Sequence, residues 1–214
     1  MKKSVYSLVL IDDLVEQLDH AAYARGLSRS GMINEILADY LSVVTPERQI
    51  QQTLDTARDL LNSVDALQLV APPSGGGMVL RSALRYKYNP TVRYAIELSG
   101  ASGRLAGRLR VQLRTRNETL LCDAESFFTL WDGMERRLRG GIQSAIEPGR
   151  YTRFFLPQER EMAAQEFGEG IAEYVRLFDG CLRLYFKNLG SEQNAAAEIG
   201  RRYAAWLKAG KSIL

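Results

Sequence analysis

The feature that most limits how this chain folds is one short run of β-forming residues, 5–10 (VYSLVL), followed directly by helical sequence. A unit of about 40 residues with one strand can neither bury its apolar side chains nor pair its strand edge by itself. Two copies solve both problems, because the two strands pair antiparallel and four helices close a shared core. We therefore predict that this segment dimerises, whatever it binds.

Two amphipathic helices follow the predicted strand. Asp12 and Asp13 suit the start of the first, which runs to about Arg25. Gly26 is predicted to end that helix in the left-handed conformation, and Ser28 to cap the next one. Apolar residues recur at spacings of three and four through both helices. The predicted dimer core consists of Tyr6, Leu8, Leu10, Leu14, Leu18, Ile33, Ile36 and Leu37.

The order of strand, helix, Gly-x-Ser-x-Ser turn and helix in residues 4–42 resembles the ribbon-helix-helix family of bacterial repressors. The matching text is YSLVL (6–10), DDLVEQLD (12–19), GLSRS (26–30) and INEILADYL (33–41), under a fifth of the chain. The resemblance implies that the paired strands enter the DNA major groove and that the second helix begins at a phosphate. The residues expected to contact DNA are Lys2, Lys3, Val5, Ser7, Val9, Ser28, Arg29 and Ser30.

Two features of this segment depart from the family pattern. Val5 and Val9 can touch a thymine methyl group but cannot form the bidentate hydrogen bonds that discriminate bases. Residues 1–43 also carry four basic and six acidic side chains, a net charge of −2, whereas affinity for DNA comes largely from cation–phosphate contacts. A segment that only dimerises is the alternative interpretation.

The rest of the chain predicts an α+β fold, with an antiparallel sheet of three or slightly more strands packed with helices. We expect a ribbon-helix-helix module over 1–44, a connecting helix over 45–70 (periodic from 46 to 67), a linker over 71–77 and a C-terminal domain over 78–214. Strands are predicted at 78–88, 91–98 and 104–115, and helices at 119–139, 157–188 and 191–209. Residues 151–155 form a possible further short strand.

Basic residues concentrate on the predicted sheet. Residues 81–116 hold nine basic side chains and one acidic one, a net charge of +8, and the remaining residues have a net charge of −5. We interpret this face as a surface for a nucleic-acid backbone or another anion. The alternative is an outer face covered by an acidic helix, with Glu166, Glu169 and Glu173 in its stripe. The surface comprises Arg81, Arg85, Lys87, Arg93, Arg108, Arg110 and Arg114.

Few residues suit catalysis or metal binding. The chain has one histidine, His20, and two widely separated cysteines, Cys122 and Cys181, which we expect to be buried. We expect no catalytic site, metal or cofactor. No apolar run approaches the ~20 residues of a membrane span, and residues 1–10 lack the pattern of a signal peptide, so a cytoplasmic protein is expected.

These features together predict a dimeric DNA-binding regulator, a transcription factor of prokaryotic type. Its C-terminal domain would sense a ligand, oligomerise or bind a partner. The alternative is an interaction protein that dimerises through residues 1–44 and binds RNA, single-stranded DNA or an acidic protein on the basic sheet.

Overall fold

The chain combines six helices with one six-stranded antiparallel sheet within the residues that the computed structural model describes, which are 4–64, 66–86, 89–101, 104–157 and 162–210. The helices are α1 (Asp12–Ala24), α2 (Arg29–Tyr40), α3 (Pro46–Asn62), α4 (Glu118–Arg139), α5 (Ala164–Lys187) and α6 (Glu192–Lys208). The strands are β1 (Leu67–Ser74), β2 (Gly77–Ala83), β3 (Thr91–Ala101), β4 (Arg104–Arg114), β5 (Gln143–Glu147) and β6 (Arg150–Phe155). The predicted α+β class is confirmed, and the sheet has six strands where three or slightly more were predicted.

The strands lie in the order β1-β2-β3-β4-β6-β5. Alternation in β4 is as predicted, since Leu105, Leu109, Val111 and Leu113 are buried while the arginines between them are not. The short strand expected at 151–155 is confirmed as β6, but β5, its hairpin partner, was not predicted. The strand expected over 78–88 ends at Ala83, and Lys87 lies outside the described residues.

The predicted linker over 71–77 is wrong, because residues 71–74 continue β1. Ala71 pairs with Val79 and Ser74 with Gly77, and an irregularity in register precedes each of these pairs. The strand tolerates Pro72 and Pro73 because β1 is at the edge of the sheet, where no further strand needs their missing N–H groups. The helix predicted to reach residue 67 ends at Asn62, which leaves room for this strand.

Helices α3, α4, α5 and α6 share one core with the apolar face of the sheet. Leu54, Ala57 and Leu61 of α3 are fully buried in that core. A Cβ atom on Gly168 of α5 would lie 2.5 Å from the Thr53 carbonyl oxygen, so the two helices approach closely only because this residue is glycine. The helix expected to connect two domains is therefore part of the packing of the C-terminal one.

A buried carboxylate lies at the centre of this core. Glu135 of α4 has no solvent exposure, and its two oxygens accept five hydrogen bonds. The donors are Tyr174 (2.9 Å), Tyr151 (3.0 Å), Trp131 Nε1 (3.1 Å), Tyr203 (3.1 Å) and Arg153 Nε (3.4 Å). Burial raises the pKa of all three tyrosines, so their hydroxyls remain protonated donors. The arrangement satisfies a charge that would otherwise be costly to bury.

Residues 12–41 form a separate small cluster around Leu18, Ala22 and Met32. Gly26 ends α1 with φ +64°, and the Leu27 amide donates to the Ala22 carbonyl at 2.9 Å, as in a Schellman C-cap. Ser28 caps α2, so both turn predictions are confirmed. Asp12 and Asp13 lie in the first turn of α1 rather than at its cap, which is Ile11.

Two further observations concern the whole described chain. Cys181 is buried, which raises the pKa of its thiol to about 12, but Cys122 is exposed, contrary to the prediction. None of the described helices has both the length and the hydrophobicity that crossing a membrane requires.

Candidate nucleic-acid interface

The segment before α1 is uncovered on both of its faces. Residues 4–11 belong to no helix or strand, and none of the described strands pairs with them. Val5, Ser7 and Val9 are exposed on one side, and Tyr6 and Leu8 remain 83% and 60% exposed on the other. The family resemblance assigns the first three to DNA and the last two to the dimer core. Lys2 and Lys3 lie outside the described residues.

Apolar side chains on α1 and α2 extend this uncovered surface. Leu14, Ile36 and Leu37 are each a little under half exposed, and Tyr40 and Leu41 are more so. Of the other predicted dimer-core residues, Leu18 is buried within the single chain, while Leu10 and Ile33 are half-buried. So much exposed apolar surface on a unit this small is typical of a surface that binds another protein chain.

Cations near the start of α2 are engaged by acidic side chains of the same unit. Arg29 Nε donates to Asp19 Oδ1 at 2.7 Å, and this hydrogen bond lowers the pKa of Asp19. Arg25 pairs with Glu35 at 3.1 Å. Ser28 uses its hydroxyl oxygen to accept from the Gly31 amide at 3.1 Å, and Ser30 is exposed. Arg29 is thus not the freely available cation that the predicted phosphate contact assumed.

The face of the sheet opposite the helices carries most of the predicted basic residues. We call the surface formed by Arg93, Arg108, Arg110, Arg114 and Arg150 the open sheet face. The acidic helix α5 does not cover it, because α5 packs on the apolar face, where Asp179 accepts hydrogen bonds from Ser82 and Tyr94. The expectation of a covered outer face is therefore wrong for α5.

Acidic partners neutralise part of the open sheet face. Glu97 accepts from Arg108 Nε at 2.7 Å and lies 3.4 Å from Arg110 Nη1, and Arg150 pairs with Glu147 at 2.8 Å. Arg93 and Arg114 are exposed and have no ion pair with any described residue. A shallow cavity of about 320 Å³ lies between Arg93, Arg110 and Arg150. These two unpaired arginines are therefore available to an anion on this face.

The structure separates Arg85 from this face, because Arg85 follows the end of β2, whereas Arg81 lies opposite Arg93 and on the same side of the sheet. Arg81 and Arg85 line a cleft at the end of the sheet together with Arg183 and Lys187 of α5. Arg183, Lys187 and the buried Asp179 were not predicted as site residues. The four-residue spacing of Asp179 and Arg183 was the only signal, and such pairs are common on exposed helices.

One aromatic residue on the open sheet face was also missed. Phe154 of β6 is half-buried and lies opposite Arg108 of β4. Tyr94 is buried in the core and Tyr86 packs against it, so neither ring is offered on the open sheet face. Phe154 could not be assigned to a face because the register of β6 against β4 was unknown.

Comparisons with known proteins add no relative. No protein-family model matches the chain, and neither a curated protein nor a solved structure shows significant similarity to it.

Proposed function

We propose that the protein is a homodimeric DNA-binding regulator whose residues 1–44 form a ribbon-helix-helix module. The observation that carries the proposal is the exposure of both faces of residues 5–9, next to two helices with uncovered apolar side chains. A second copy of the chain is the partner that supplies both a strand edge and a matching apolar surface.

Pairing of the two copies assigns the segment's two faces different tasks. Tyr6, Leu8 and Leu10 turn toward the four helices of the dimer, and Val5, Ser7 and Val9 turn outward. A two-stranded ribbon fits the major groove, where the outward side chains reach the base edges. Ser7 is the one of the three that can hydrogen-bond a base.

Replacing Ser7 by Glu tests this assignment. The added carboxylates, one from each copy, lie between the phosphate backbones, so we expect affinity for duplex DNA to fall at least about tenfold, or ~1.4 kcal/mol. The dimer should remain intact, because Ser7 is exposed and faces away from the predicted core. Fluorescence anisotropy with fragments selected from a random duplex library measures the affinity.

The matched control is Gln52→Glu, which adds the same charge at an exposed position of α3. It should leave the affinity within about twofold of the wild type, the effect of ~0.4 kcal/mol. Equal losses of affinity in the two variants would mean that the added net charge, and not its position, weakens binding. Unchanged affinity in Ser7→Glu would mean that residues 5–9 do not contact DNA.

The open sheet face is proposed to add contacts to the DNA backbone. A variant with both Arg93 and Arg114 replaced by Ala should bind duplex DNA with a shallower dependence of log Kd on log salt. Each lost phosphate contact reduces the slope by about 0.9. The control replaces Arg85 and Lys187, which line the separate cleft, and should keep the wild-type slope. Equal slopes for all three proteins would exclude the open sheet face from DNA binding.

Phe154 favours one second candidate function. An aromatic ring beside Arg108 suits stacking of an unpaired base above a backbone phosphate, as in proteins that bind single-stranded nucleic acid. This candidate places recognition on the open sheet face and leaves residues 1–44 with dimerisation alone. It replaces the first proposal if the Arg93/Arg114 variant loses nucleic-acid binding while Ser7→Glu binds as the wild type does.

A further inference from the structure

The cleft at the end of the sheet has a wall of four cationic side chains. Its volume is about 590 Å³, and it lies between the end of β2, the start of β3 and the last turns of α5. Arg81 comes from β2, Arg85 from the residues after β2, and Arg183 and Lys187 from α5. No acidic side chain in the described part of the chain lines it. Two pairs of basic residues that are 102 positions apart in the sequence, Arg81 with Arg183 and Arg85 with Lys187, thus line the same cleft.

Buried hydrogen bonds fix one of these cations in place. Arg183 Nε donates to Asp179 Oδ2 at 2.7 Å, and its Nη2 contacts the Ser82 hydroxyl. Asp179 is itself held by Ser82 Oγ at 2.7 Å and Tyr94 OH at 2.8 Å. Burial raises the pKa of Tyr94, so its hydroxyl stays a donor. A guanidinium has five N–H donors, and Arg183, at 25% side-chain exposure, keeps the remainder for the cleft.

The other three cations are available to a ligand. Arg81 Nε donates to the neutral amide of Gln68 at 3.1 Å, which leaves its charge uncompensated. Arg85 and Lys187 are exposed and form no ion pair with a described residue. Asp179 offsets the charge of Arg183 only, because its other oxygen accepts from Ser82 and Tyr94 within the core. Mutual repulsion of the remaining charges is relieved by an anion bound between them.

We infer that this cleft binds a small organic phosphate. Arginine forks match phosphate oxygens, and a lysine adds a mobile point charge. A cavity of this size is in the range of small-molecule sites, about 300–1,000 Å³. Duplex DNA presents its phosphates on a convex surface, which suits the open sheet face better than a recess at the end of the sheet. The site depends only on the C-terminal domain, so it stands whether or not residues 1–44 bind DNA.

Pyrophosphate is a probe that carries the required chemistry without assuming the rest of the ligand. Isothermal titration of the full-length protein in 150 mM chloride should detect one saturable site per chain. Replacing both Arg85 and Lys187 by Ala should raise the Kd at least tenfold. The matched control removes Arg93 and Arg114 from the open sheet face, the same number of charges, and should change the Kd less than twofold. All four side chains are exposed, so both variants should fold.

A third variant, Arg183→Lys, keeps the charge but loses the fork that Asp179 orients, and should raise the Kd at least threefold. Absence of saturable binding, or equal losses in the two double variants, would overturn the inference. Displacement of pyrophosphate by duplex DNA, with a matching loss of DNA affinity in the Arg85/Lys187 variant, would assign the cleft to nucleic acid and overturn it as well. If the protein binds pyrophosphate but does not bind DNA, the result supports the phosphate site in the cleft and contradicts the proposed DNA-binding function.

Discussion

Replacing Leu8 by Asp is expected to convert the protein from a dimer to a monomer. In the proposed dimer Leu8 of each copy is covered by the partner, although it is 60% exposed in one chain. Burying an unpaired charge costs about 3–5 kcal/mol, and a dimer would bury two. The dissociation constant should therefore rise by at least about four orders of magnitude. Sedimentation velocity over a concentration series measures the change.

Val9→Asp is the matched control for this prediction. Val9 is the next residue, is fully exposed, and faces away from the proposed core. It should remain dimeric at concentrations where Leu8→Asp is monomeric. A wild-type protein that stays monomeric at all concentrations, or two variants that dimerise equally, would contradict the intertwined dimer and with it most of the argument for a DNA-binding ribbon.

Replacing Glu135 by Gln is expected to lower the melting temperature by about 10 °C. The substitution removes the negative charge that faces Arg153, only 4% exposed, and places an NH₂ group among donors. Removing one partner of a buried ion pair costs about 3–5 kcal/mol, and each kcal/mol lowers the melting temperature of a domain this size by about 2–4 °C. Differential scanning calorimetry measures the shift.

The same substitution at Glu125 provides the comparison. Glu125 lies on the same helix, is half-buried, and has no hydrogen bond or ion pair with a described residue. The melting temperature of Glu125→Gln should stay within about 2 °C of the wild type, since substitutions of this kind away from a buried network cost under ~0.5 kcal/mol. A Glu135→Gln protein that melts with the wild type would show that the five donors are satisfied without the charge.

Local patterns were sufficient for some parts of the fold. The alternation of leucine and arginine in β4 assigned its two faces correctly, because a strand has a side-chain period of two. Gly26 and Ser28 predicted the turn between α1 and α2, since each has a conformational or capping role that depends on neighbouring residues alone. In each case the information lies within a few residues of the feature.

Strand β1 could not be recognised in this way. Pro72, Pro73 and the glycines after them are typical of loops, and only the position of β1 at the edge of the sheet makes them compatible with a strand. Edge position is a property of the assembled sheet. The composition of residues 71–77 therefore favoured a linker until their pairing with β2 was known.

The two buried acids required the tertiary structure as well. Glu135 and Asp179 sit on amphipathic helices where a carboxylate is ordinarily solvated. The donors to Glu135 include residues from β6, α5 and α6, and those to Asp179 include residues from β2 and β3. Only folding brings these donors within hydrogen-bonding distance of the two acids. For the same reason, the cleft beside Asp179 could not be predicted from the sequence.

The prolines of β1 have a consequence for how copies of the chain avoid aggregating. An edge strand with free N–H and C=O groups is a template onto which another sheet can add, and this addition has no natural end. Pro72 and Pro73 offer no N–H, and the irregular register around them distorts the remaining edge. If residues 5–10 pair with a second copy as proposed, the prolines keep the β1 edge of the larger sheet from competing for the same kind of pairing.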